Sequence, residues 1–264
     1  MGLGDDLLFL GEAEDLYKRT GKMITPVYGN GWSPLFNNVE FLVEKGGITL
    51  NARDTPGPSD FKVNYYVRTK EDTLLGQRLD FRHYKPKRFQ IRFTEDELKY
   101  SNKIKNDYSL DKFMIINPDY KSTFFSKNKN WGFKKYQEVA NALKDEITLV
   151  RIKPGGKYNE PYLENVINID SPNIRNSIAI ASMAHCGLTY DGLMVHILSG
   201  FSIPVVNIQG GLVDDSIMKY DGNINLSYQH PKTPCGSTYD CQHCADANNS
   251  ITVEQVIEAC RRLL

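Results

Sequence analysis

Residues 186–211 read Cys-Gly-Leu-Thr-Tyr-Asp-Gly-Leu-Met-Val-His-Ile-Leu-Ser-Gly-Phe-Ser-Ile-Pro-Val-Val-Asn-Ile-Gln-Gly-Gly. The spacing predicts a strand end, an acidic cap, one short helix and a second buried strand that stops at glycines. Asp191 suits the N-cap, because its carboxylate can accept the free N–H groups of a first helical turn. Gly200 suits the helix end, and Pro204 keeps the helix from resuming. Val205 to Ile208 is an apolar run of the parallel-sheet kind. Such a unit leaves a helix N-terminus at the carboxyl edge of a sheet, where α/β proteins receive phosphorylated ligands.

The rest of the chain sets the frame for this unit. Its 264 residues suffice for one large or two modest domains. Lysine plus arginine equals aspartate plus glutamate at 32 each, so no extended polyanion-binding surface is advertised. The apolar run Leu7 to Leu10 is too short for a secretory signal, and no run approaches a membrane span. Five cysteines, three of them clustered, suggest a reducing compartment rather than a disulfide framework. A cytoplasmic α/β protein is expected.

Two blocks differ in pattern. In the first, Asp6 to Thr20 has helical spacing with Gly21 as its cap, Met23 to Tyr28 reads as a strand, and Phe41 to Leu50 holds another. From Phe61 to Phe93 the chain is aromatic and basic, and Thr94 with Glu97 forms a capping box. The polar stretch Lys99 to Lys112 reads as a linker. Beyond it strands and helices alternate: strand Phe113 to Asn117, helix Phe133 to Leu143, strand Thr148 to Ile152, strand Asn165 to Ile169, helix Ile174 to Ala184, then the quoted unit and a closing helix from Thr252. Alternation of this kind implies a doubly wound parallel sheet.

Several constellations have chemical character. Gly2-Leu-Gly-Asp-Asp6 places two carboxylates, Asp5 and Asp6, at a helix start; each reads either as a cap or as a general base for a hydroxyl. Ser122 to Trp131 carries Ser126, Lys127 and Lys129 ahead of a helix, which suits a diphosphate as well as an ordinary solvated loop. His196 reads as a hydrogen-bond donor to a phosphate or ribose oxygen, or as a hydrogen-bonded core residue. Cys235, Cys241 and Cys244 have partial zinc spacing, with His230, His243 and Cys260 as rival fourth ligands; reduced thiols or a disulfide are the alternatives. The segment Tyr65 to Arg92 reads either as a sheet surface or as a place for an anionic or polyhydroxylated acceptor.

Taken together, Gly-Leu-Gly-Asp-Asp-Leu-Leu, Asn117-Pro118 with Lys129-Asn-Trp131, the Asp191 to His196 spacing, and the tail ending in Ile251-Thr252-Val253 resemble glycosyltransferase family nine, the ADP-heptose:lipopolysaccharide heptosyltransferase-like proteins of the GT-B fold. The resemblance implies two Rossmann-type domains, here a shortened acceptor-side domain at 1–105 and a donor-binding domain at 106–264. It implies Asp5 as the catalytic base, with Asp6 beside it. It implies Ser126, Lys129, Asp191, Gly192 and His196 as contacts to a nucleotide-diphosphate sugar, and transfer to a glycan or other hydroxyl acceptor without a catalytic metal. The pattern is departed from in three places. No strand precedes Gly4-Asp5, Asp6 duplicates the carboxylate, and the glycine after Asp191 falls one position early. A DNA-base-modifying glycosyltransferase, with a nucleic-acid acceptor, a sugar-nucleotide epimerase, and a non-catalytic nucleotide-sugar-binding module are the alternatives.

Overall fold

The computed structural model describes residues 2–27, 32–52, 58–63, 65–70, 77–119, 124–154 and 161–264. The first block runs α1 (Leu3–Thr20), β1 (Ile24–Pro26), β2 (Ile48–Asn51), β3 (Phe61–Lys62), β4 (Tyr66–Lys70), β5 (Gln77–Phe81) and α2 (Glu95–Asp107). The second runs β6 (Phe113–Asn117), α3 (Phe133–Leu143), β7 (Thr148–Pro154), β8 (Ile167–Ser171), α4 (Ile174–Ala181), β9 (Cys186–Tyr190), α5 (Leu193–Gly200), β10 (Val205–Gly210), β11 (Ile224–Ser227), α6 (Gln242–Ser250) and α7 (Val253–Arg261).

The second block builds a six-stranded parallel sheet in the order β11-β10-β9-β6-β7-β8. Its central strand shows why both faces are covered. Phe113 and Ile115 of β6 enter a core shared with α1, α4 and α5, while Met114 and Ile116 enter a second core with α3 and α7. Alternate residues of a strand point to opposite faces, so an unbroken apolar run needs helices on both sides. The expected doubly wound sheet is therefore present. The helix over 133–143 has the expected bounds, and Tyr136, Val139, Ala140 and Leu143 are its buried face.

Parallel pairing also occurs in the first block, across β1-β2-β3, with β4 and β5 as a separate antiparallel hairpin. Its apolar residues, among them Leu10, Ile24, Phe36 and Leu50, belong to the same core as Ile115, Val195 and Leu198. Helix α1 ends at Gly21, whose φ of 65° closes it in the left-handed conformation glycine tolerates.

Three local expectations are corrected. The stretch 99–112 is largely helical rather than a linker: α2 packs its Ser101 and Ile104 inward and is capped by the Thr94–Glu97 box. The α5 helix takes Gly192, not Asp191, as its N-cap, and no side chain among the described residues caps it. Helix α5 does end at Gly200 as expected, but space rather than turn geometry calls for the glycine, since a Cβ there would stand 2.5 Å from the Phe89 ring.

Candidate functional site

From β6 the chain winds outward through β7 and β8, then returns to lay β9 along the other side of β6. The carboxyl ends of β6 and β9, where Asn117 pairs with Thr189, are thus the point at which the winding reverses. Loops leaving two such strands diverge and open a crevice for ligands. The loop after β6 carries Lys129, and the loop after β9 carries Asp191 and Gly192.

These two loops meet. Lys129 Nζ lies 3.0 Å from Asp191 Oδ2, with Asp191 fully buried and Lys129 only 15% exposed. Asp191 Oδ1 has no hydrogen-bond partner among the described residues. Burial pushes the Asp191 carboxyl above its usual range; the Lys129 ammonium opposes the rise and the nearby Asp5 carboxylate adds to it. So Asp5, from the first block, shares this pocket of charge. Gly192 earns its place sterically, because a Cβ would stand 2.8 Å from the Tyr190 ring.

His196, one turn into α5, is buried at 3% exposure. Its Nδ1 is 2.8 Å from the Tyr220 hydroxyl. Burial, with Lys129 nearby, pushes its pKa down to about 3, so the imidazole is neutral at physiological pH. The other edge of the ring lies against Gly4, where a Cβ would be 3.3 Å from Cδ2 and 3.7 Å from Nε2. That contact gives the Gly-x-Gly of the N-terminus a physical reason: residue 4 has no side chain, and α1 can approach α5.

The two N-terminal carboxylates have different surroundings. Asp5 accepts the Gly2 N–H at 3.2 Å and a hydrogen bond from the Tyr65 hydroxyl. Asp6 accepts from Ser33 Oγ at 2.8 Å. Both lie in the first turn of α1, where the helix dipole favours negative charge. Ser126 falls in a short 3-10 turn, Phe124–Lys129, but its side chain lies outside the described residues, as do Ser122 and Thr123 altogether.

The cysteine cluster assembles and gains a fourth member. One donor atom each from Cys235, Cys241, His243 and Cys244 lies within 4.8 Å of the others. Cys241 is the N-cap of α6, so its thiol, the His243 ring and the Cys244 thiol all belong to that helix start. The Nδ1 atom of His243 is buried without a hydrogen-bond partner among the described residues. Three thiols and one imidazole match a tetrahedral zinc-type donor set. His230 instead stacks on Tyr228 at 5.5 Å, and Cys260 lies on the buried face of α7. All five cysteines are free.

Within the aromatic-basic segment, three side chains are held by partners elsewhere in the fold. Lys87 reaches Glu12 and Asp15 at 2.8 Å each, Tyr84 donates to Glu12 at 2.7 Å, and Arg78 donates to the Cys235 carbonyl at 2.6 Å. Residues that sequence reasoning passed over are Tyr220, Asn128 and the Asp119–Arg151 pair. Arg151 is fully buried, and its Nε donates to Asp119 Oδ2 at 2.8 Å, bracing the turn after Asn117. A charged residue inside a β7 run of apolar type was the available signal for that pair; Tyr220 carried none.

No helix among the described residues is long and apolar enough to cross a membrane. No protein-family model and no curated protein matches the chain. Among solved structures, the chain is similar to ADP-heptose lipopolysaccharide heptosyltransferase II of E. coli, at 16% identity and a TM-score of 0.49, over 66% of this chain and 53% of that one. It is similar at 15% identity and a TM-score of 0.48 to a glycosyl transferase family 9 protein of Veillonella parvula, with the same coverages of 66% and 53%. A third is the iron-containing dodecameric glycosyltransferase TibC of enterotoxigenic E. coli, at 17% identity and a TM-score of 0.46, over 58% of this chain and 44% of that one. The chain thus spans about half the length of the solved structures it matches.

Proposed function

We propose that the protein is a glycosyltransferase that moves a sugar from a nucleotide-diphosphate sugar to a hydroxyl acceptor, with no metal in the transfer step. The observation that carries this reading is the meeting of Asp5, Lys129, Asp191 and His196 at the reversal point of the parallel sheet. In this reading residues 106–264 hold the donor, and residues 1–105 supply the base and face the acceptor.

The acceptor oxygen attacks the anomeric carbon while its proton passes to Asp5. The bond from that carbon to the diphosphate oxygen breaks, and the electron pair leaves with the nucleoside diphosphate. Charge grows on the departing oxygens, so fixed donors aimed at them lower the barrier. Lys129 supplies the cation, the uncapped start of α5 supplies backbone N–H groups, and His196 supplies a neutral donor. Burial keeps Tyr220 protonated, so its hydroxyl can donate to His196 Nδ1 and leave the proton on Nε2, on the ring edge beside Gly4 at the start of α1. The Cys3His cluster would hold a structural zinc-type ion, outside the transfer chemistry.

Calorimetry with a panel of nucleotide sugars and free nucleoside diphosphates tests the reading. Binding of at least one is expected, and Asp5→Asn should abolish transfer while changing donor affinity by no more than a few-fold. Absence of binding across the panel sinks the enzyme reading. Product analysis without acceptor separates transfer from epimerisation, and an active Asp5→Asn beside a dead Asp6→Asn would reassign the base.

A further inference from the structure

Lys129 is tied to the Cys3His cluster through the residue beside it. Asn128 is buried at 5% exposure. Its Nδ2 donates to the carbonyls of Ser237 at 3.1 Å and Tyr239 at 2.6 Å, and its Oδ1 accepts the Cys241 N–H at 3.0 Å. Its own carbonyl accepts from Asn248 Nδ2, on α6, at 2.9 Å. The side chain therefore spends both its donors and its acceptor on one segment.

That segment, 236–240, has little regular structure of its own; besides Asn128 it meets the fold through an isolated bridge between Ser237 and Arg78, the Gly236 hydrogen bonds with Leu212 and Leu79, and the exposed Asp240–Lys127 pair. Its ends are Cys235 and Cys241, two members of the cluster. An ion bound by both would close the intervening loop and fix the carbonyls that Asn128 reads. Without it, the segment would be anchored at its Gly236 end and less so toward Cys241, and closing a short loop costs ordering entropy. The neighbouring ring of His243 is pressed on the end of β10, where a Cβ at Gly211 would stand 2.8 Å from its Cε1.

We propose that Asn128 is a positioning residue that fixes Lys129 for the diphosphate and couples nucleotide binding to metal loading of Cys235, Cys241, His243 and Cys244. This rests on the nucleotide-binding reading above. Coupling of this kind is reciprocal, so each ligand tightens the other by the same factor.

The test uses the full-length protein, Zn²⁺ and the nucleoside diphosphate that binds best in calorimetry. Zn²⁺ affinity is measured by competition with a chromophoric chelator, with and without saturating nucleotide. The wild type should gain about 5- to 10-fold in Zn²⁺ affinity, and Asn128→Ala less than about 2-fold, with both sites still binding. A purely structural role would lower the melting temperature and leave the factor unchanged. Should Asn128→Ala fail to fold, Asn128→Asp keeps the acceptor for Cys241 but removes both donors, and serves in its place. Coupling that survives in the variant, or is absent from the wild type, overturns the proposal, as does a wild type that binds nucleotide but no Zn²⁺. If no nucleoside diphosphate binds, the functional reading fails separately. Hydrogen exchange across residues 124–129 then decides: protection on Zn²⁺ addition in the wild type but not the variant supports the clamp, and no change in the wild type refutes it.

Discussion

Replacing Lys129 with methionine keeps the length of the side chain and removes its charge, which isolates one question: what holds Asp191 in the fold as a carboxylate. Asp191 has no solvent exposure, its Oδ2 faces Lys129 at 3.0 Å, and Oδ1 has no described hydrogen-bond partner. Breaking a buried pair by removing one partner typically costs about 3–5 kcal/mol, because the remaining charge keeps its desolvation penalty. Lys129 retains some exposure, so the lower end, about 3 kcal/mol, is expected near pH 7.5. For a chain of this size that is roughly 6–12 °C in melting temperature. The pH dependence has a definite sign. The Asp191 carboxyl is already raised by burial, and loss of Lys129 raises it further. A raised carboxyl favours folding when protonated, so its contribution is present at low pH and is lost as pH rises through the folded-state value. Urea denaturation from pH 4.5 to 8 should show the Lys129→Met deficit growing with pH, and Lys129→Met with Asp191→Asn should recover most of it. A single variant within about 1 kcal/mol of wild type at pH 7.5, or a double variant no better than the single, refutes the argument.

Gly192→Ala should destabilise by about 1–3 kcal/mol, because the new methyl meets the Tyr190 ring; pairing it with Tyr190→Ala should shrink the additional cost, read by urea denaturation. His196 is held neutral with its pKa pushed down to about 3, so its stabilising contribution is full above about pH 6.5 and falls as pH drops toward 3. His196→Gln should therefore flatten the acid limb of the stability curve by about 1 kcal/mol per pH unit below 6, and an unchanged limb would count against a buried neutral imidazole. Elemental analysis of protein purified without chelator should give about one zinc-type ion per chain, with a lower melting temperature after stripping. Absence of stoichiometric metal, with Zn²⁺ failing to bind on addition, would leave the cluster as four unliganded side chains.

Much of this was legible in the second block because its signals are local. The apolar run of β6 and the 3.6-residue spacing of α3 arise from burial on known faces, and the sequence carries that information directly. The first block was harder to read. Its aromatic and basic residues look like a solvent-facing surface until Lys87, Tyr84 and Arg78 are seen reaching partners as distant as Glu12 and the Cys235 carbonyl. The cap at Gly192 and the need for Gly200 depend on rings at Tyr190 and Phe89, and no spacing rule locates such rings. Likewise His243 emerged as the fourth cluster member only when the chain brought Cys235 back to the start of α6.

The choice between Asp5 and Asp6 shows how geometry can weigh two carboxylates that sequence leaves equivalent. Successive helical residues point about 100° apart, so at most one of them can face the crevice squarely. Asp6 turns toward Ser33, within the first block. Asp5 turns toward Tyr65 and adds to the electrostatic rise at Asp191, which places it near the loops that carry Lys129 and Asp191. A base also needs to be held in one orientation. The Tyr65 hydroxyl on Oδ1 and the Gly2 N–H on Oδ2 orient the group, and the latter also anchors it at the helix start. If Asp5 is the base, as proposed, Tyr65→Phe should lower the rate of transfer while leaving donor affinity within about 2-fold, since the hydroxyl then acts on Asp5 and not on the diphosphate. A Tyr65→Phe variant that loses donor affinity in step with rate would move Asp5 from the chemistry to the binding of the donor.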